Sequence, residues 1–308
     1  MLLTACAGHN GSNVSSQGDF GKKLSDTTIH INGIRPCSSS DETGVQIDRS
    51  KPLVVLTHGC LDSAARFKAL AEVFAFQDQQ AVCFTYDDRD SLLKSSSELS
   101  YALKQLSNQL NNKEITLIAH SQGGLIARKA LTKQHASELW LNTQTRINLV
   151  TISAPFSGIE DASRCGSKNL RLLTLGLVDA ICWMISGDKW FEITNASSFI
   201  QMPGELLPQV GQYFKIDTDE RDSCRTPGSG NRCQESDYVF SLGEQHLQQA
   251  SQHAPLKRIE VRAGHTEIVG DFQTPPHKLI SILQQQGIMN QTLPERSEGL
   301  RILLGRLY

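Results

Sequence analysis

The sequence predicts an α/β fold with a mostly parallel central sheet and helices on both faces. Short apolar segments alternate with longer segments of helical periodicity, a pattern that indicates successive βαβ units. Most of the short segments are continuously apolar, as strands are when helices cover both faces of a sheet. The third observation is the stretch 115–128, where an apolar strand leads through small residues around Ser121 into a helical pattern. Such a turn lies at the carboxyl edge of a parallel sheet, where ligands bind.

Each element is predicted from its own local pattern. Leucines recur at helical intervals after Asp90, so a helix is expected from there to Leu110. The predicted strands are 28–34, 53–57, 81–86, 115–119, 147–153, 212–216 and 257–262. The other predicted helices are 63–76, 122–132 and 276–286.

The alternation of strands and helices divides the chain into three parts. Residues 1–26 are expected to be a tether, residues 27–290 the α/β domain, and residues 291–308 a C-terminal tail to which no role is assigned. The alternation lapses at about 156–207, and we interpret this stretch as a cap insertion. Its apolar run is either an amphipathic lid or a helix that is buried against the sheet.

Ser121 is the candidate nucleophile. Small residues lie two positions to either side of it, as a tight strand-to-helix turn requires if it is to expose a hydroxyl group. A serine hydroxyl is a weak nucleophile at neutral pH, so it needs a base, and the base needs an orienting acid. The base is expected after the last strand, and His265 lies there, next to Gly264.

The acid is expected between the resumed sheet and the last strand, an interval that holds Asp217, Asp219, Glu220, Asp222, Glu235 and Asp237. Asp237 is the first choice, because it follows the loop between Cys224 and Cys233 and precedes an apolar segment that could hold one carboxylate in place. Asp217 is the second choice, because it directly follows a predicted strand, and Glu235 is the third.

When a serine attacks a carbonyl carbon, the carbonyl oxygen becomes negatively charged, and this oxyanion needs two preorganised N–H donors. One is expected from Gln122, at the start of a helix, and the other from Cys60, with Leu61 as the alternative. The residues expected to contact a substrate are His58, Gly59, Leu61 and Phe156.

Composition narrows the class of protein and its partners. The formal net charge is −2, so we expect no nucleic-acid partner. No cysteine pair has the spacing of a metal-binding motif, and neither a metal nor a cofactor is implied. The chain has eight cysteines, of which Cys224 with Cys233 and Cys165 with Cys182 could form disulfides, in an oxidising compartment such as a periplasm or the cell exterior. The alternative is that the cysteines are small buried hydrophobic residues.

The N-terminus resembles a bacterial lipobox that ends at Cys6. The match covers Leu3–Cys6, whereas the charged region and most of the apolar region of a signal are missing. Residues 7–23 are rich in Gly, Ser and Asn, a composition typical of a tether. A lipid on Cys6 would attach the protein to a membrane of the cell envelope, and the alternative is an unmodified terminus.

Residues 53–288 resemble an α/β-hydrolase of the bacterial lipase and serine-esterase type, which is also similar to the GPI inositol-deacylases. Two departures are Ala119, where the family often has glycine, and Phe156, where it often has histidine. The residues that carry the resemblance are 58–60, 86–90, 119–124, 152–158, Asp237 and 264–265.

The resemblance implies an α/β-hydrolase fold and the hydrolysis of carboxylic esters through an acyl-enzyme on Ser121. Acyl transfer or thioester cleavage by the same residues is the alternative, and a non-catalytic lipid-binding protein on this scaffold is a third hypothesis. The expected partner is an ester or lipid substrate, and the chain is expected to be a monomer.

Overall fold

A computed structural model describes most of the chain. The described residues are 27–40, 42–60, 62–140, 144–159, 189, 191–228, 230, 232–247, 256–271 and 274–308. The predictions for the tether 1–26 with Cys6, for Leu61 and for most of the cap therefore lie outside the described residues, as does the pairing of Cys165 with Cys182.

The core of the fold is a seven-stranded sheet. Its strands are β2 (Ile34–Arg35), β4 (Leu53–Thr57), β5 (Gln80–Phe84), β6 (Glu114–His120), β7 (Arg146–Ile152), β8 (Val210–Asp219) and β11 (Leu256–Arg262). They lie in the order β11-β8-β7-β6-β4-β5-β2, and within this sheet only β2 pairs in the antiparallel direction. The predicted fold class, a mostly parallel sheet flanked by helices, is confirmed.

Helices cover both faces of this sheet. Successive residues of β4 point to opposite faces, so that Leu53 and Val55 join one apolar cluster while Val54 and Leu56 join the other. The described helices are α1 (Lys68–Phe76), α2 (Leu92–Gln109), α3 (Gln122–Ala130), α4 (Lys133–Trp140), α5 (Ser198–Gln201), α6 (His277–Gln285) and α7 (Ser297–Leu307). Helices α2 to α5 contribute residues to the first cluster, and α1, α6 and α7 contribute residues to the second.

The single strand predicted over 28–34 is wrong. The chain forms β1 (Thr27–His30), which pairs with β3 (Gly44–Ile47) in a separate small sheet, and only then enters the central sheet as β2. Gly33 lies between β1 and β2 with φ of +80°, a backbone conformation that L side chains rarely adopt. The turn at Gly33 therefore divides one apolar stretch between two sheets.

The C-terminal tail has a structural role that the sequence analysis did not assign. Its helix α7 packs near α1 and buries Leu304. Just before α7, the Arg296 guanidinium lies 4.5 Å from the centre of the Phe76 ring. Arg296 also donates hydrogen bonds to the Phe76 carbonyl oxygen and to Asp78. The tail therefore completes the packing of one face of the sheet.

No helix in the described part of the chain is both long enough and apolar enough to cross a membrane.

In the part of the chain that the structure describes, two disulfides link neighbouring segments. The expected pair Cys224–Cys233 links β9 (Cys224–Pro227) to β10 (Cys233–Ser236), which form a small antiparallel sheet. A second pair, Cys37–Cys83, was not anticipated, and it joins the segment after β2 to β5. Because it closes a loop with a sequence separation of 46, it restricts the unfolded chain more than the Cys224–Cys233 pair, whose separation is 9.

Replacing both members of a pair by alanine tests this difference. We expect the Cys37→Ala/Cys83→Ala variant to lose about 4 kcal/mol in free energy of unfolding and the Cys224→Ala/Cys233→Ala variant about 2.5 kcal/mol, because loop-closure entropy grows with loop length. Urea unfolding of the two variants and the wild type measures the losses. An equal or larger loss for the Cys224–Cys233 pair would contradict the expectation.

Candidate active site

Ser121 occupies a strained turn between β6 and α3. Its φ is +56° and its ψ is −129°, in a region that non-glycine residues rarely adopt. Its backbone N–H donates to the Ile152 carbonyl oxygen at 2.8 Å, which fixes the turn to the end of the neighbouring strand. A Cβ atom at Gly123 would lie 2.3 Å from the His58 carbonyl oxygen, and one at Gly59 would lie 2.9 Å from Ser121 Cβ. The small residues of the motif are therefore required by the close approach of the β4 and β6 ends.

The structure brings Ser121 and His265 together. His265 Nε2 lies 3.1 Å from Ser121 Oγ, and both side chains are buried. His265 follows β11 after a short turn, and its backbone N–H donates to the Asp237 carbonyl oxygen at 3.0 Å. Two residues that follow different strands of the sheet thus lie within hydrogen-bond distance of each other, as the predicted nucleophile and base require.

The carboxylate that faces the His265 ring belongs to Glu220. Its Oε1 lies 3.0 Å from His265 Nδ1, and its Oε2 accepts the backbone N–H groups of Val239 and Phe240 at 2.5 and 2.8 Å. Burial opposes ionisation of this carboxyl group, but the hydrogen bond from His265 and those from the two backbone N–H groups hold its pKa below the usual range. Glu220 is therefore a buried, ionised acceptor for the imidazole.

The prediction that Asp237 orients the His265 ring is wrong. The Asp237 carboxylate accepts hydrogen bonds from the backbone N–H groups of Thr266 and Glu267 at 3.0–3.1 Å, and from the Thr266 hydroxyl at 2.5 Å. It therefore holds the turn that carries His265 and does not contact the ring. A carboxylate that caps backbone N–H groups and one that faces an imidazole cannot be told apart by residue type.

The second candidate acid does not reach the imidazole either. Asp217 is buried within β8, where it forms ion pairs with Lys215 and with Arg258, whose Nε lies 2.6 Å from Asp217 Oδ2. The Glu235 side chain lies outside the described residues. In the structure β8 pairs with β11 from Tyr213 to Asp219, so β8 extends beyond the predicted limit at residue 216, and only this pairing singles out Glu220. The first acid beyond the true strand end is Glu220.

The loop after β4 lies beside Ser121. Tyr86 stacks on the His58 ring at 4.5 Å between centroids, and its hydroxyl donates to the His58 carbonyl oxygen at 3.0 Å. Burial lowers the pKa of His58, so this imidazole is neutral at pH 7. Cys60 has a free thiol, and its Sγ accepts a hydrogen bond from Lys189 Nζ at 3.1 Å. This loop is thus fixed on both sides of Gly59.

The other predicted site residues lie close to Ser121 in the chain or the fold. Gln122 is the first residue of α3, and its side-chain amide donates to the Asp88 carbonyl oxygen at 3.3 Å. Phe156 is buried in the turn after β7, with Lys215 Nζ 5.6 Å from its ring centre. The structure thus shows Phe156 as part of the apolar core, and its contact with a substrate stays a prediction.

The His120 side chain packs against the turn that carries His265. Its Nε2–H donates to the His265 carbonyl oxygen at 3.0 Å, and the two rings lie 4.6 Å apart. Burial lowers the pKa of His120 well below its ordinary value of 6.5, and the neighbouring His265 lowers it further. His120 was not among the site residues predicted from the sequence, so this contact was not anticipated.

The neutral state of His120 predicts a pH dependence of stability. A depressed folded-state pKa contributes stability that is fully present above pH 6.5 and is lost as the pH falls toward the folded-state value, because the unfolded chain binds the proton first. Between pH 7.5 and pH 5.5, we expect the free energy of unfolding to fall by about 1 kcal/mol more in the wild type than in His120→Phe. Urea unfolding at the two pH values measures this, and equal falls in both proteins would contradict it.

Comparison with known proteins agrees with this architecture. Residues 48–175 match a family model described as "Putative serine esterase (DUF676)". No curated protein sequence matches the chain. The mature form of the Bacillus licheniformis lipase BlEst2 is similar in structure, with a TM-score of 0.51, 14% identity, and coverage of 78% of this chain and 93% of the lipase.

Two longer chains are similar as well. The propeptide form of the same lipase has a TM-score of 0.55 at 12% identity, with 86% of this chain and 53% of that chain covered. Lipase B of Aspergillus fumigatus has a TM-score of 0.50 at 14% identity, with 89% of this chain and 60% of that lipase covered. This chain thus spans little more than half the length of those two chains. The resemblance to lipases and serine esterases that the motifs indicated is confirmed, and the protein has the α/β-hydrolase fold.

Proposed function

We propose that the protein is a serine hydrolase that cleaves carboxylic esters through an acyl-enzyme on Ser121. One observation carries the proposal: an unbroken polar chain runs from Ser121 Oγ to His265 Nε2 at 3.1 Å, and from His265 Nδ1 to Glu220 Oε1 at 3.0 Å. This is the order nucleophile, base, acid that activates a serine hydroxyl. The esterase family model, which includes position 121, supports the same assignment.

The proton movements follow from this chain. His265, neutral and protonated on Nδ1, accepts the Ser121 proton at Nε2 as the hydroxyl oxygen attacks the ester carbonyl. The ionised Glu220 stabilises the imidazolium that forms. His265 then gives the proton to the leaving alcohol, which leaves the acyl group on Ser121, and the same groups activate a water molecule that releases the acid.

The developing negative charge needs donors that point at it. We assign these to the backbone N–H groups of Gln122 and Cys60. Gln122 is the first residue of α3, so the helix dipole adds to its N–H, and Cys60 follows Gly59, which lies against Ser121. Because both contributions are from the backbone, a cysteine side chain at position 60 does not weaken them.

The surroundings suggest where the enzyme works. The disulfides Cys37–Cys83 and Cys224–Cys233 support an oxidising compartment, such as the cell envelope or the exterior. The similar structures named above are lipases, which supports an ester or lipid as the substrate. The length of the acyl chain is left to experiment.

A fluorophosphonate probe tests the nucleophile. We expect the wild type to be labelled, Ser121→Ala to be unlabelled, and His265→Ala to be labelled at least about 1,000-fold more slowly, because the base is then missing. Ser97→Ala, which changes an exposed serine of α2, is the matched control and should be labelled like the wild type. An unlabelled wild type would sink the hydrolase proposal.

Rates on p-nitrophenyl esters and thioesters of increasing chain length then separate the alternatives. A preference for short oxygen esters indicates an esterase, a preference for long ones a lipase, and a preference for thioesters the thioesterase alternative.

A second pair of variants tests the acid. Glu220→Gln should lower kcat about 1,000- to 10,000-fold, because the amide cannot stabilise the imidazolium. Asp237→Asn keeps the shape of the other carboxylate but weakens its bonds to the Thr266 and Glu267 N–H groups. It should therefore lower the unfolding midpoint in urea while kcat falls less than about tenfold. A folded Asp237→Asn variant that loses more kcat than Glu220→Gln would reverse the assignment.

A further inference from the structure

Ser153 is a second serine held in an unusual backbone conformation at the site. It directly follows β7, and its φ of +48° lies in the left-handed region that favours glycine. Its backbone N–H donates to the Ile216 carbonyl oxygen at 2.9 Å, so its conformation is fixed by β8. A glycine would fit here without strain, and the presence of a serine therefore calls for a reason in its side chain.

The Ser153 hydroxyl contacts both partners of the base–acid pair. Its Oγ lies 2.8 Å from His265 Nδ1 and 2.8 Å from Glu220 Oε1, and the residue is fully buried. The Thr218 hydroxyl lies 2.7 Å from Ser153 Oγ, 2.9 Å from Glu220 Oε1 and 3.3 Å from Gln245 Oε1. The serine thus lies between the ring and the carboxylate and has a hydroxyl neighbour on its outer side.

Counting hydrogens assigns the direction of these bonds. An ionised carboxylate can only accept, so the Ser153 hydroxyl hydrogen points to Glu220. The lone pairs of Ser153 Oγ are then free to accept the Nδ1–H of His265 and the hydrogen of Thr218. His265 Nδ1–H therefore has two acceptors, the Glu220 oxygen at 3.0 Å and Ser153 Oγ at 2.8 Å.

We propose that Ser153 is a positioning residue that fixes the Glu220 carboxylate and keeps the His265 proton on Nδ1, so that Nε2 faces Ser121 as an acceptor. This inference rests on the proposed function, since it assigns Ser153 a role in the same proton path. It also accounts for the strain at position 153, because only a hydroxyl on this turn reaches both groups. Ser153 touches no reacting atom and acts only through Glu220 and His265.

The test compares Ser153→Gly with Ser153→Ala in the full chain. Both remove the hydroxyl, but glycine also relieves the strain of the left-handed backbone. We expect kcat on a p-nitrophenyl ester to fall about 10- to 100-fold in both variants with KM unchanged, because a hydrogen bond to a charged group is lost. The unfolding midpoint of Ser153→Gly should be no lower than that of the wild type. A purely structural role predicts instead that kcat follows stability, and wild-type kcat in a folded Ser153→Gly would overturn the proposal.

A double-variant cycle shows whether Ser153 acts through Glu220. In the Glu220→Gln background, Ser153→Gly should change kcat less than about threefold, because the carboxylate that it holds is already gone. An equal loss in both backgrounds would overturn the proposal. Thr218→Val removes a hydroxyl that contacts Ser153 and Glu220 but not His265, so as the comparison variant it should cost less than Ser153→Gly.

A readout that does not need turnover separates this inference from the proposed function. The downfield proton resonance of His265 Nδ1–H should be visible in the wild type and should move or broaden in Ser153→Gly. An inactive, unlabelled wild type would refute the hydrolase proposal, whereas an unchanged resonance in Ser153→Gly would refute the role of Ser153 alone.

Discussion

The site depends on the register of three neighbouring parallel strands. β6, β7 and β8 each end one residue before a polar residue of the site, namely Ser121, Ser153 and Glu220. His120 pairs with Ile152 at the last position of β6 and β7, and Asp219 pairs with Arg262 at the end of β8 and β11. Since carboxyl ends of parallel strands meet at one edge, this register brings residues that are far apart in the chain to the same edge of the sheet. If the pairing of one strand shifted by one residue, every side chain of that strand would point to the opposite face of the sheet.

Close packing of the backbone at this edge holds two strained serines. Ser121 and Ser153 both have positive φ, and the N–H of each donates to a carbonyl oxygen of an adjacent strand. Gly123 permits the approach because its missing Cβ leaves room for the His58 carbonyl oxygen. Strain of this kind persists only where the surrounding structure fixes the backbone, and it marks sites where the direction of a side chain matters more than local stability.

The two carboxylates near His265 have different tasks because their surroundings differ. Glu220 faces the ring, and the hydrogen bond from His265 together with those from two backbone N–H groups holds its pKa low although it is buried. Asp237 caps the turn after His265 and thereby sets the position of the ring. It directly follows β10, which the Cys224–Cys233 disulfide ties to β9, so its own position is restrained as well. Buried polar networks of this kind are effective only when each member has a partner.

The sequence by itself determined the features that local patterns encode. The run of apolar strands and helical periods specified the sheet, and the small residues around Ser121 specified the turn, since sterics at that turn allow little else. His265 was found because the position after the last strand is defined by chain order. These patterns involve residues that are close in the sequence, so they can be recognised without knowledge of the packing.

Only the tertiary structure decided which carboxylate meets the imidazole. The acids between the resumed sheet and the last strand have similar chemistry, and the length of β8 is set by its pairing with β11, not by its own residues. The Cys37–Cys83 pair, the packing of α7 and the bridge through Ser153 likewise depend on contacts between distant segments. A pattern along the chain records which residue types are present, whereas the distance between two side chains is fixed only when the strands that carry them are in register.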